Sequence, residues 1–115
     1  MVFELIGFVT AAEGKEKELE SLLKELTVGV ETHEPDVERY IAYKVMGRRN
    51  NAGGARFVII ERFKDEATFQ AHIKFDYFKE IGKRMEEQKL LAKPIEGIQV
   101  VKVGGFDSRE SKAKL

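Results

Sequence analysis

Residues 57–72, FVIIERFKDEATFQAH, impose the strongest constraint on what this chain can fold into. Phe57 to Phe63 is an almost unbroken run of β-branched and aromatic residues, the composition of a strand covered on both faces. Asp65 then offers a helix N-cap, and Glu66 suits the positive end of a helix dipole. Phe69 and Ile73 fall four apart on one helical face with His72 beside them. A buried strand therefore hands over directly to a helix carrying a histidine. Set against that apolar layer, His72 is the obvious group able to titrate near neutral pH within a pocket.

The remaining segments supply neighbours for this strand. Between Val2 and Ala11, Phe3, Leu5, Gly7 and Val9 alternate with Ile6 and Phe8, the pattern of a central strand. Gly14 breaks it. Leu19, Leu22, Leu23, Leu26 and Val30 then recur at helical spacing, with Lys and Glu on the opposite side. The helix stops across residues 32–36, where Pro35 disfavours helical geometry at Glu34 and His33 reads as a solvated loop residue. Val37 to Met46 reads as a second strand, with Arg39, Ile41, Tyr43 and Val45 on one face and Tyr40, Ala42, Lys44 and Met46 on the other. GRRNNAGGA, residues 47–55, has the composition of a long, mobile hairpin loop. Phe75, Phe78, Ile81 and Met85 predict a helix from about Asp76 to Lys89, and Pro94 opens a last strand running to Val103. The order β-α-β-β-α-β defines an α+β, ferredoxin-like plan, a four-stranded antiparallel sheet with helices on one face. The 115 residues make one domain over 1–104, followed by a polar tail over 105–115.

On this plan one sheet face meets helices and the other should alternate toward water, yet the first, third and fourth strands are apolar on both faces. A second copy packed sheet to sheet would cover them, predicting a homodimer with a shared barrel. The 20 basic and 20 acidic residues balance, which disfavours a nucleic-acid or anionic-membrane partner. Cysteine is absent, removing thiolate chemistry and cysteine-held metals and favouring a cytoplasmic location. MVFELIGFVTAAEG carries Glu4 within its apolar run and has no basic start, so it reads as a strand rather than a signal or a membrane span.

His33 and His72 are far apart, and neither has a second ligand at metal-binding spacing, so no metal site is expected. For His72 two readings stand: a partly exposed helix residue bonded to a neighbour, or a group that moves a proton or orients a substrate. Glu61 shares a strand face with Phe57, Ile59 and Phe63, where an unpaired carboxylate is costly. It either pairs with Arg39 or Lys44 of the neighbouring strand or sits in a pocket. Tyr40 and Tyr43 lie on opposite faces, so at most one points toward the helices. Phe69, Phe75, Tyr77 and Phe78 cluster near His72, either as core or as a wall for a flat ligand.

Taken together, VTAAEGKEKELESLLKEL, EPDVERYIAYKV and FVIIERFKDEATFQAH resemble the antibiotic biosynthesis monooxygenase family of the dimeric α+β barrel superfamily. Gly14, Glu34, Pro35, Tyr40, Glu61, Phe63, Asp65 and His72 stand where the family pattern has its characteristic residues. That resemblance implies cofactor-independent oxygenation of a small aromatic, quinol or polyketide-like substrate by molecular oxygen, without flavin, haem or metal. It casts His72 as base or substrate partner, Tyr40 or Tyr43 as oxyanion donor and Glu61 as a further catalytic group, with Phe57, Phe69, Phe75, Tyr77 and Phe78 against the substrate. The chain departs from its relatives at IKFDYF, where Phe75 and Tyr77 replace a Ser and a second His. It also lacks the Trp and the first-strand Asn of the haem-degrading branch. Two other readings are a non-oxidative isomerase and a small-molecule binding or stress-associated module of the same fold. Ala113-Lys114-Leu115 resembles a Ser-Lys-Leu peroxisomal address, set against the alternative of a solvated tail on a cytosolic protein.

Overall fold

The computed structural model describes residues 1–46 and 54–109. Its elements are β1 (Phe3–Thr10), α1 (Glu16–His33), β2 (Val37–Lys44), β3 (Arg56–Phe63), α2 (Glu66–His72), α3 (Asp76–Glu87) and β4 (Glu96–Val100). All strand pairs are antiparallel in the order β2-β3-β1-β4, so the two most apolar strands lie at the centre as their composition predicts. Most of the predicted GRRNNAGGA loop, and the C-terminal tripeptide, lie outside the described residues.

The leucine face of α1, with Leu19, Leu22, Leu23, Leu26 and Val30, packs with Val9, Phe57 and Ile59 of the sheet and Ile81 and Met85 of α3 into one core. α2 begins where its cap demands. Asp65 has left helical geometry, and its carboxylate accepts from both the backbone N–H and the hydroxyl of Thr68, each at 2.8 Å.

Four sequence expectations shift. α1 continues through Thr32 and His33, so His33 is a terminal helix residue with its ring beside Tyr77 rather than a loop residue. β4 ends at Val100, and its helix-side positions are Gly97 and Gln99. Only its outer face, with Ile98 and Val100, is apolar. The chain beyond Gly105 is not simply a free tail: Asp107 stands 3.3 Å from Arg39 and 3.8 Å from Arg62. Finally, β2 carries one extra residue, Glu38, between the pairs Val37–Phe63 and Arg39–Arg62. This bulge lets Val37 and Tyr40 both face the core, where strict alternation would separate them.

The outer sheet face carries Ile6, Phe8, Ile41, Val58, Ile60 and Ile98, with Ile41 and Ile98 about half exposed. No described helix is long and apolar enough to cross a membrane. Because the Asp65 cap satisfies a backbone donor that α2 cannot satisfy itself, Asp65→Ala should lower the thermal unfolding midpoint by roughly 5 °C. Asp65→Asn should largely retain it, and differential scanning calorimetry distinguishes the two.

Candidate active site

Pro35 takes Glu34 out of helical geometry, at φ −129° and ψ 77°, and the side chain turns inward instead of following the helix surface. A carboxylate at a helix C-terminus faces the negative end of the dipole and is unfavourable unless donors surround it. Glu34 is 6% exposed and has two. Nδ1 of His72 lies 2.9 Å from Oε1 and 3.0 Å from Oε2, and the Tyr77 hydroxyl donates to Oε2. The carboxylate can only accept, so the His72 ring carries its proton on Nδ1 and presents a lone pair at Nε2. The hydroxyl of Tyr40 stands 3.3 Å from that nitrogen and donates to it. Four side chains thus form one chain, Tyr77–Glu34–His72–Tyr40, drawn from α3, the end of α1, the end of α2, and β2.

His72 is 1% exposed, with Phe78 at 4.4 Å and Phe63 at 5.3 Å between ring centroids. Burial depresses the imidazole below its ordinary range, and the hydrogen bond and charge of Glu34 act in the opposite sense. Burial raises the Tyr40 phenol, helped by the negative charges of Glu61 and Glu34, so it stays protonated. Tyr77 is raised by burial and by its bond to Glu34.

Above the sheet lies a cavity of about 220 Å³, larger than the roughly 150 Å³ apolar cavity known to take up benzene. Leu5, Leu26, Phe69, Phe78, Ile81 and Met85 make its walls, and Tyr40, Glu61 and His72 are its inner polar groups. Ile95 to Gly97, at the start of β4, are exposed and also line it. Among the described residues no group of three or more His, Asp or Glu side chains has a metal-binding arrangement.

The structure brings together His72, Tyr40, Glu61, Phe69 and Phe78. It does not bring in Tyr43, which points from the opposite sheet face and is 52% exposed. Phe57 is buried in the core beside α1 and does not line this cavity. Neither do Phe75, whose ring lies 5.6 Å from that of Tyr77, and Tyr77 itself, which serves Glu34 instead. The pairing of Glu61 with Arg39 or Lys44 is not formed. Arg39 reaches Asp107, and Lys44 reaches Glu20 at 3.2 Å. Glu61 has no hydrogen-bond or ion-pair partner among the described residues. Burial, with the nearby Glu34 charge, pushes its carboxyl up to about 8. Sequence reasoning missed Glu34 as the partner of His72, 38 residues away. Its available signal was a Glu held before a Pro at a helix end.

The fold is an antiparallel, ferredoxin-like α+β domain in which a buried histidine–carboxylate pair lies beside an apolar cavity. The chain belongs to the antibiotic biosynthesis monooxygenase family, whose pattern it matches over residues 2–84. No curated protein matches the sequence. Among solved structures, a provisionally named antibiotic biosynthesis monooxygenase from Bacteroides thetaiotaomicron is 20% identical with a TM-score of 0.76, over 93% of this chain and 95% of its own. One from Caulobacter crescentus, named in the same provisional way, is 17% identical with a TM-score of 0.73, over 90% and 91%. A Pseudomonas aeruginosa protein is 23% identical with a TM-score of 0.73, over 90% and 95%. At these identities the likeness establishes the fold.

The unpaired Glu61 makes stability depend on pH. Its ordinary value is 4.5. Above that the unfolded chain has released the proton, whereas the folded chain holds it up to about 8. Stability should therefore fall as pH rises through this window, by at most about 1.4 kcal/mol per unit. Glu61→Gln should remove that slope. His72, whose depressed value acts in the opposite sense below 6.5, is common to both proteins. Urea titrations at fixed protein concentration from pH 5 to 9 give the comparison.

Proposed function

We propose that the protein is a cofactor-independent monooxygenase acting on a small aromatic or quinol-like substrate. The observation that carries this reading is the Glu34–His72–Tyr40 chain ending at an apolar cavity. An acidic, electron-rich ring needs a base, a donor for the resulting oxyanion and shelter from water, and these groups supply all three. As the substrate proton moves to Tyr40, the phenolic proton moves to Nε2 of His72, leaving an imidazolium held by Glu34. Tyr40 then carries the former substrate proton and donates it as a hydrogen bond to the anion.

For a substrate with a ring CH₂, the anion passes one electron to O₂, and the radical pair joins in a C–O bond. Cleavage of O–O with loss of the second hydrogen from that carbon leaves a carbonyl and hydroxide. The proton stored at His72 converts the hydroxide to water. One oxygen atom enters the product and one becomes water, with every electron supplied by the substrate. Two proton-carrying groups on one wall, Tyr40 and Glu61, also suit a non-oxidative isomerisation of a carbonyl compound.

Oxygen consumption with a panel of hydroquinones and anthrones separates these readings. Tyr40→Phe keeps the ring packing and removes the relay, so it should lower turnover about 100-fold or more. His72→Ala should lower it at least as far, at a cost in stability, because it strips Glu34 of a buried donor. Uptake no faster than the spontaneous rate across the panel, or unchanged in both variants, would reject the oxygenase.

The second element of the proposal is a homodimer formed through the outer sheet face. Its support is the row of Ile6, Ile41, Ile60 and Ile98, which are register partners across all four strands. Light scattering should give a two-chain particle at micromolar concentration, and Ile60→Lys should yield a monomer.

A further inference from the structure

Glu61 is the side chain in the cavity whose hydrogen-bonding capacity is unspent. Both nitrogens of His72 are engaged, and Tyr40 donates to one of them. Glu61 is 7% exposed, lines the cavity and has no partner among the described residues. Its surroundings leave room beside it. Gly7 and Gly97 are register partners on β1 and β4 and both line the cavity. A Cβ added at Gly7 would lie 3.5 Å from Oε2 of Glu61, and one added at Gly97 would lie 3.5 Å from Leu5. Two neighbouring strands therefore offer bare backbone at the foot of a carboxylate, a floor on which a flat ring can lie. Among the described residues no Lys or Arg lines the cavity, whose ionisable side chains are Tyr40, Glu61 and His72; Glu96 borders it through its backbone, its side chain lying on the outer face with Phe8.

We propose that Glu61 is the specificity-determining residue of this cavity: its carboxylate accepts a hydrogen bond from the hydroxyl of an uncharged phenol of one or two rings lying over Gly7 and Gly97, and its charge turns away carboxylated analogues. This deepens the proposed function and rests on the same cavity being the ligand site. A hydrogen bond to a carboxylate is stronger than one to a neutral carboxyl, so affinity should rise as Glu61 ionises. The titratable groups facing Glu61 are Tyr40 from β2, Glu34 at the end of α1 and His72 from α2, while Glu96 of β4 shares the outer face with Phe8. α3 contributes Phe78, Ile81, Gly82 and Met85, and β1 contributes Leu5, Gly7 and Val9, none of them charged. A window from pH 7 to 9 lies above the range of His72 and below the ionisation of a phenol, near 10.

Equilibrium binding of 2-naphthol, 2-methoxynaphthalene and 2-naphthoate to the full chain under nitrogen tests the assignment without any turnover. The unmodified protein should bind 2-naphthol at least tenfold more tightly than the methyl ether and at least a hundredfold more tightly than the naphthoate, with affinity for 2-naphthol rising through about pH 8. Glu61→Gln removes a buried charge while keeping its volume, so it should fold. It should bring 2-naphthol within about threefold of the ether, abolish the pH dependence and admit the naphthoate. Equal binding of 2-naphthol and its ether by the unmodified protein, or a preference that survives in Glu61→Gln, would overturn the proposal. Failure of all three probes to bind would overturn it together with the use of this cavity. Oxygen inertness with the 2-naphthol selectivity intact would remove the oxygenase and leave the role of Glu61 standing.

Discussion

A buried carboxylate at a helix C-terminus must be given donors, and the arrangement of this molecule follows from how Glu34 obtains them. The negative end of the α1 dipole and the loss of water both act against the charge. Compensation comes from His72 at the end of α2 and Tyr77 in the first turn of α3. These two elements are thereby fixed against the end of α1, and the ring of His72 is fixed in both orientation and tautomer. Tyr40 then finds its acceptor already in place. Phe63 and Phe78 close around the imidazole and exclude water, which strengthens each bond in the chain.

Glu34 and Glu61 are nearly equal in burial and opposite in circumstance. The first is satisfied by two side chains. The second has been brought to the same depth by strand alternation, with no cation among the described residues to meet it. Its raised ionisation is the physical consequence, and the Glu34 charge contributes to it, so the two sites are coupled through space. Retaining such a group costs stability near neutral pH, and a leucine or glutamine would fit there at lower cost. Buried groups left in this state cluster where a ligand or proton completes them.

Local pattern carried the elements of the fold and rather less of the site. The apolar run at Phe57 to Phe63 and the Asp65 cap are short-range features, legible because each is decided within a few residues. Alternation placed Tyr40 and Tyr43 on opposite faces, but which face is inner depends on where α1 packs, a contact between distant segments. The same limit applied to Glu61. Arg39 and Lys44 stand near it in the sequence pattern, yet neither pairs with it: Lys44 is drawn to Glu20 on α1 and Arg39 to Asp107 beyond β4. Phe75 and Tyr77 belonged to an aromatic cluster by composition. Helix geometry takes one out of the cavity wall and makes the other a donor to Glu34.

The pairing of Tyr40 with Glu61 depends on register in a way that makes the bulge at Glu38 part of the site. Side chains alternate with a period of two, so a slip of one residue would exchange the faces of an entire strand. Without the extra residue, keeping Val37 opposite Phe63 would place Arg39 opposite Glu61 and turn Tyr40 outward. An arginine beside the carboxylate would neutralise it, and His72 would lose the hydroxyl at Nε2. With the bulge, Val37 still fills the core while Tyr40 stands across from Glu61 on the inner face. Arg39 is turned outward beside Arg62, and Asp107 lies between their charges. One inserted residue thus keeps a cation out of the cavity, leaving its acid–base groups to one another and to whatever enters.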